Sequence, residues 1–146
     1  MTYRSKLALS AGGAAAALLL SGCETAMYGT APGGRYQLAE VDGRPVPAET
    51  AAGACRIVWE GGHLDIDPIA RRFEIFADRS SSCQGGDPDL RENGSYLRSG
   101  SGLRLDVADP AGRSIERQAW HSGNSVRVDL GGNRLVFRQA APPPRR

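Results

Sequence analysis

Residues 125–138 read SVRVDLGGNRLVFR, two short alternating runs around a glycine pair. Valine and leucine alternate with polar residues before the Gly-Gly-Asn turn at 131–133. After the turn, leucine and phenylalanine occupy alternate positions between two arginines. Alternation with a period of two is typical of a strand with one buried face. A tight glycine-containing connection between two such runs predicts a β-hairpin.

The same rhythm extends outward from this hairpin. The predicted strands are Gly34–Val41, Cys55–Glu60, His63–Asp67, Arg72–Asp78, Gly94–Arg98, Leu103–Val107, Ile115–His121, Ser125–Leu130 and Arg134–Arg138. Most connections are too short for parallel crossovers, so neighbouring strands must be antiparallel. No segment can form a helix long enough to cover the apolar face. We therefore predict an all-β fold, an up-and-down antiparallel meander of eight or nine strands that closes into a small barrel.

Inward positions of these strands carry the candidate core. Gly61-Gly62 is predicted to turn the chain, and the alanine-rich segment 45–54 can hold a helical turn. Arg117 breaks the alternation of its strand because it falls on the face of Ile115 and Ala119. The aromatic residues expected inside the barrel are Tyr36, Trp59, Phe73, Tyr96 and Phe137.

The first 22 residues have the pattern of an export signal. Arg4 and Lys6 precede an apolar run, residues 7–20, whose helix would be about 21 Å long, too short for a hydrocarbon core of about 30 Å. The sequence Leu-Ser-Gly-Cys that ends at Cys23 resembles the lipobox of bacterial lipoproteins. That resemblance implies cleavage after residue 22 and a diacylglyceryl anchor on Cys23, with Glu24 favouring the outer membrane, facing the periplasm. The alternative is an ordinary secreted protein.

The charge of the remaining chain indicates its class of partner, and its composition indicates the domain boundaries. Arg4 and Lys6 are two of the 18 basic residues, and all 16 acidic residues follow the signal, so the mature chain is formally neutral. This balance argues against a nucleic-acid partner. We expect a signal peptide at 1–22, a flexible tether at 23–33, the barrel domain at 34–139 and a proline-rich disordered tail at 140–146.

Two cysteines remain once Cys23 is assigned to lipid. In an oxidising compartment Cys55 and Cys83 are expected to form a disulfide bond. The alternative, a reactive thiol or a metal ligand, lacks a Cys-x-x-Cys spacing or a nearby histidine.

Several segments within 34–138 resemble the lipocalin-like lipoproteins of bacteria. They are Gly-Arg-Tyr-Gln-Leu at 34–38, Val-Asp-Gly-Arg-Pro-Val-Pro at 41–47, Gly-His-Leu-Asp-Ile at 62–66 with Arg72-Phe73, Gly-Ser-Tyr at 94–96 and Leu-Val-Phe-Arg at 135–138. The resemblance implies a lipocalin-like barrel. It also implies that Arg138 packs over the ring of Tyr36 as a cation–π contact that closes the base of the barrel.

Candidate chemistry is sparse. His63, Asp65 and Asp67 share one face of a strand and could supply metal ligands, but Leu64 and Ile66 occupy the other face and predict that the trio faces solvent. His121 is expected at the surface or the rim. The arginine pairs at 71–72 and 145–146 could contact anionic lipid headgroups or lie on an ordinary solvated face. We predict no metal and no cofactor.

The expected function is therefore non-enzymatic. We expect a lipid-anchored barrel in the periplasm that binds a small apolar ligand or serves envelope maintenance. The alternative is a protein–protein interaction module, such as a periplasmic protease inhibitor, with an envelope or secreted protein as its partner.

Overall fold

A computed structural model describes residues 32–83 and 89–140, and these residues form ten strands. The strands are β1 Gly34–Val41, β2 Arg44–Pro45, β3 Ala48–Ala52, β4 Cys55–Asp67, β5 Arg72–Ser81, β6 Leu90–Ser99, β7 Gly102–Ala108, β8 Ser114–Ser122, β9 Ser125–Leu130 and β10 Asn133–Gln139. The signal peptide, Cys23, most of the tether and nearly all of the tail lie outside the described residues.

Every strand pairing is antiparallel, and the sheet closes on itself. Strands β4 to β10 follow one another in sequence order, and β1 pairs with both β10 and β4, which completes an eight-stranded barrel. The short strands β2 and β3 extend the sheet beside β1 and β4. The predicted all-β meander is confirmed. In the described residues, no helix has the length and apolar character needed to cross a membrane.

The barrel has two ends, which we call the base and the mouth. The base contains the start of β1, the turns at 68–71, 100–101 and 123–124, and the end of β10. The mouth contains the segment 42–54 with β2 and β3, the start of β4, the end of β5 and the turns at 109–113 and 131–132.

The interior is packed with apolar side chains. Twenty of the described apolar residues are buried, and they form one cluster. The predicted inward aromatic residues are all among them: Tyr36, Trp59, Phe73, Tyr96 and Phe137. Inward positions recur every second residue, and β1, β4, β5, β7, β9 and β10 each contribute two or three buried apolar side chains to the same core.

The glycine pair in β4 does not turn the chain, contrary to the prediction. β4 runs through Gly61 and Gly62 and pairs with β5 on both sides of a bulge between Trp59 and Gly61. Trp59 and Leu64 are an odd number of residues apart, yet both are buried, because the bulge shifts the register by one residue. Gly62 has a φ of 155°, and a Cβ there would lie 2.3 Å from the carbonyl oxygen of Phe76.

The helical turn expected near residue 50 is also wrong. Residues 48–52 form β3, which pairs with the first half of β4. Ala48 is buried, and the hydroxyl oxygen of Thr50 accepts a 2.9 Å hydrogen bond from the indole nitrogen of Trp59. Ladder hydrogen bonds and this contact outweigh the weak helix preference of alanine.

Candidate functional site

The disulfide bond lies at the mouth. Cys55 begins β4, Cys83 follows the end of β5, and their sulfur atoms are bonded with the Cα atoms 5.5 Å apart. Next to the bond, the amide of Arg56 donates to the hydroxyl oxygen of Ser82, and the amide of Ser82 donates to the carbonyl oxygen of Arg56. The predicted disulfide is confirmed, and both thiols are consumed in it.

The predicted packing of Arg138 over Tyr36 is wrong. Tyr36 is buried and lies opposite Gln139, whereas Arg138 lies opposite Gln37 on the outer face of the sheet. Adjacent residues on a strand point to opposite faces, so Arg138 cannot reach the inner ring. Its side chain is 51% exposed and forms an ion pair with Glu40.

The base is closed by other groups. The side-chain amide of Gln139 donates a 2.8 Å hydrogen bond to the carbonyl oxygen of Gly33, and Pro32 is buried beside this contact. Arginine–aromatic contacts occur elsewhere on the barrel: Arg79 with Trp59, Arg91 with Phe76 and Arg127 with Trp120.

The trio of β4 lies on the outer face, as predicted. Arg35 donates to both carboxylate oxygens of Asp65, at 2.8 and 2.6 Å, and this hydrogen bonding lowers the pKa of Asp65. A carboxylate oxygen of Asp67 accepts hydrogen bonds from the amides of Ile69 and Ala70 in the following turn. These carboxylates are thus engaged in structural contacts. Within 32–83 and 89–140, no three metal-ligating side chains converge on one point.

His121 lies at the rim of the base. It pairs with Val126, whose side chain is buried, so His121 is on an inward-facing position. Burial lowers the pKa of His121, and the nearby guanidinium of Arg98 lowers it further.

Sequence reasoning missed an ion pair inside the barrel. Arg117 lies opposite Leu105 and Glu92 lies opposite Ile75, and both of these partners are buried. The Arg117 guanidinium donates to the two carboxylate oxygens of Glu92, at 2.8 and 3.3 Å. Their side chains are only 25% and 12% exposed. The pair explains why an arginine is tolerated on the inner face of β8.

A second arginine contacts an aromatic ring at the same end. Arg79 pairs directly with Trp59 in the β4–β5 ladder, and its guanidinium carbon lies 5.0 Å from the centre of the Trp59 ring. Half-buried apolar side chains pack against the core around these groups: Val46, Ile57, Leu90 and Ile115.

The mouth therefore combines two guanidinium groups, one carboxylate and an aliphatic margin above a packed core that contains the buried ring of Trp59. Such a surface can contact an amphipathic molecule through its apolar part and its acidic group. Open depressions are also found at both ends of the barrel, the first at the mouth and the second at the base. One, of about 620 Å³, includes Glu40, Asp129 and Arg134 in its walls, and another, of about 300 Å³, includes Pro68 and Tyr96.

Comparison with known proteins found no matching family model, no similar curated protein and no similar solved structure. Fold and site together define a small, disulfide-bonded antiparallel β-barrel with a charged mouth.

Proposed function

We propose that this chain is a lipid-anchored, non-enzymatic β-barrel protein of the bacterial cell envelope. Its mouth binds a small molecule with an apolar body and an acidic group. The observation that carries the proposal is the pairing of inward-facing Arg79 with Trp59 beside half-buried aliphatic residues. The anchor is the diacylglyceryl group on Cys23, and Glu24 behind it favours the outer membrane, facing the periplasm.

The packed core supports a ligand at the mouth rather than one deep in the barrel. An eight-stranded barrel is just wide enough for its own side chains or for one small ligand. Here Tyr36, Phe73 and Phe137 are buried side chains of that core. An apolar ligand therefore gains contact area at the mouth, where Ile57, Leu90 and Ile115 are only half-buried.

Native mass spectrometry tests the ligand. Residues 24–146 keep all ten strands, and the chain is exported to a periplasm and purified without detergent. We expect a bound mass that leaves on denaturation and is lost in Arg79→Met. Arg44→Met changes an exposed arginine of β2 and is expected to retain it. A bare wild-type mass would contradict ligand binding.

The anchor is tested separately on the full chain. Metabolic labelling with a palmitate analogue is expected to mark the wild type and not Cys23→Ser, and membrane separation is expected to place the label in the outer membrane. An unlabelled wild-type chain would contradict the anchor, whatever the mouth binds.

A protein–protein interaction module is the second candidate. β3 pairs with β4 alone and β2 with β1 alone, so both are edge strands of the sheet. An edge strand can add a strand from a partner. A periplasmic protease whose activity is unchanged by an excess of the barrel would argue against inhibition.

A further inference from the structure

Two large apolar side chains of the described residues are exposed, and both lie toward the base. Ile69 is 94% exposed in the turn between β4 and β5, and Leu97 is 47% exposed on the outer face of β6. Single exposed apolar residues are common on protein surfaces. Ile69 differs from such residues because its turn is fixed by hydrogen bonds and lies among arginines.

The turn that carries Ile69 is held in place by hydrogen bonds. Asp67 accepts from the amides of Ile69 and Ala70, at 2.9 and 3.0 Å. At the other end of the turn, the carbonyl oxygen of Arg71 accepts a 3.0 Å hydrogen bond from the amide of Tyr96. Ile69 is thus presented outward by a fixed turn and needs little ordering before it contacts a surface.

Positive charge surrounds the turn. Arg71 lies two residues after Ile69 in the same turn, and Arg72 begins β5. Arg98 lines the adjacent groove together with Arg71. Within the described part of the chain, no ion pair is formed by Arg71 or Arg72. Asp67 lies opposite Arg72 in the β4–β5 ladder, and its carboxylate accepts two backbone hydrogen bonds of the turn.

The chain reaches the barrel at this same turn. A side chain at Gly33 would come within 3.1 Å of the Pro68 ring, so Gly33 lies against the residue that precedes Ile69. Cys23 is nine residues before Pro32. Nine residues span at most about 30 Å, so an anchor on Cys23 keeps the base within that distance of the membrane.

We propose that the base docks on the anionic surface of the membrane that holds the anchor. Ile69 inserts at the level of the headgroups, and Arg71, Arg72 and Arg98 contact lipid phosphates. The inference rests on the proposed anchor. Each arginine near an anionic surface favours the docked state about fivefold. Docking in this orientation points the mouth away from the membrane.

The test uses the lipidated full chain in vesicles whose phospholipids carry brominated acyl chains, which quench tryptophan by contact. Ile69→Trp places the reporter in the base, and Ala111→Trp places it in an exposed turn of the mouth. The fluorescence of the unsubstituted chain, from Trp59 and Trp120, is subtracted. The vesicles contain phosphatidylethanolamine with phosphatidylglycerol, or phosphatidylcholine alone.

We expect the emission of Trp at position 69 to shift to shorter wavelength and to be quenched in vesicles with phosphatidylglycerol. Replacing Arg71 by serine in the Ile69→Trp chain should lower the docked-to-undocked ratio about fivefold. The reporter at position 111 should stay unquenched. Equal quenching of the reporters at positions 69 and 111 would overturn the docking proposal. The absence of quenching at both positions would overturn it too.

Loss of the anchor gives a different result. If intact-mass analysis shows no lipid on Cys23, the proposed anchoring fails before any fluorescence is measured. A lipidated chain with an unquenched reporter at position 69 retains the anchor and refutes docking alone.

Discussion

Replacing Arg117 by methionine should destabilise the barrel more than any substitution of an outer-face arginine. The guanidinium and the carboxylate of Glu92 face the interior, with 25% and 12% of their side chains exposed. Arg117→Met leaves that carboxylate without its bidentate partner. Glu92→Met likewise leaves the guanidinium of Arg117 without its carboxylate partner.

The magnitude follows from the burial of the pair. Two unit charges about 4 Å apart attract by about 4 kcal/mol at an effective dielectric constant of about 20. Desolvation offsets part of this, and losing one partner costs about 3–5 kcal/mol for a fully buried pair and about 0–1 kcal/mol for an exposed one. The Arg117–Glu92 pair lies toward the buried limit, so each single substitution should cost about 2–3 kcal/mol.

The double variant distinguishes charge from packing. Methionine fills most of the volume of either side chain, so Arg117→Met with Glu92→Met should stay within about 1 kcal/mol of the wild type. The coupling free energy, the sum of the two single losses minus the loss of the double variant, is then about 3–7 kcal/mol. Arg104 and Glu116 form a matched control pair across β7 and β8. Their charged groups are 3.8 Å apart and both side chains are about half exposed, so the coupling free energy of this pair should stay below about 1 kcal/mol.

Urea unfolding at pH 7, followed by tryptophan fluorescence with the disulfide intact, gives the four free energies by linear extrapolation. Single substitutions that each cost less than about 0.5 kcal/mol and add without coupling would refute the reasoning. They would show that water screens the Arg117–Glu92 pair as well as it screens the control pair.

Three further predictions concern stability. Replacing Cys55 and Cys83 by serine removes a crosslink between residues 28 positions apart in the sequence. The chain-entropy relation gives a loss of about 3–4 kcal/mol in the free energy of unfolding, so an unchanged urea midpoint would contradict this prediction. Because the folded-state pKa of His121 lies below its ordinary value, its contribution to stability is present above about pH 6.5 and is lost as the pH falls from there to the folded-state pKa. The difference in stability between His121→Gln and the wild type should therefore change with pH in this window and be constant above it. Gly62→Ala should cost about 2 kcal/mol or more in the free energy of unfolding because its Cβ meets backbone, whereas at Gly61 no atom lies within 4 Å of an added Cβ; equal thermal midpoints for the two variants would show that the bulge relaxes.

Much of the barrel could be predicted from alternation and turns. The β9–β10 hairpin needs only local information, since Ser125–Leu130 and Asn133–Gln139 carry the period-two pattern and a glycine turn joins them. The predicted turn at Gly61 failed because a bulge and a turn have the same local signal, glycine within a strand pattern. Only the partner strand β5, which pairs on both sides of the bulge, distinguishes them.

The site could be predicted less well than the fold. The misplaced charge of Arg117 was visible as a break in the pattern of β8, but Glu92 was not, because the predicted strand began at Gly94 rather than at Leu90. Extending the alternation of β6 backward by two positions from Gly94 would have placed Glu92 inside. The contact assigned to Arg138 failed because a one-residue difference in register reverses the face of a side chain. Cross-strand register is set by the whole barrel and could not be derived from a motif at one end.

The hydrogen bond from the Gln139 side chain to Gly33 brings the two ends of the barrel sequence together across a separation of 106 residues. Chain ends that meet in this way allow circular permutation. A short linker from residue 139 to residue 33, with the chain opened between Gly100 and Ser101, leaves every strand intact. In that order β10 and β1 become a hairpin, so the most distant pairing of the wild-type chain becomes a local one. Opening the chain there makes β6–β7 the most distant pairing instead. Because loop closure costs less for local pairings, the permuted chain should form β10–β1 early and β6–β7 last, and reach the same barrel in a different order.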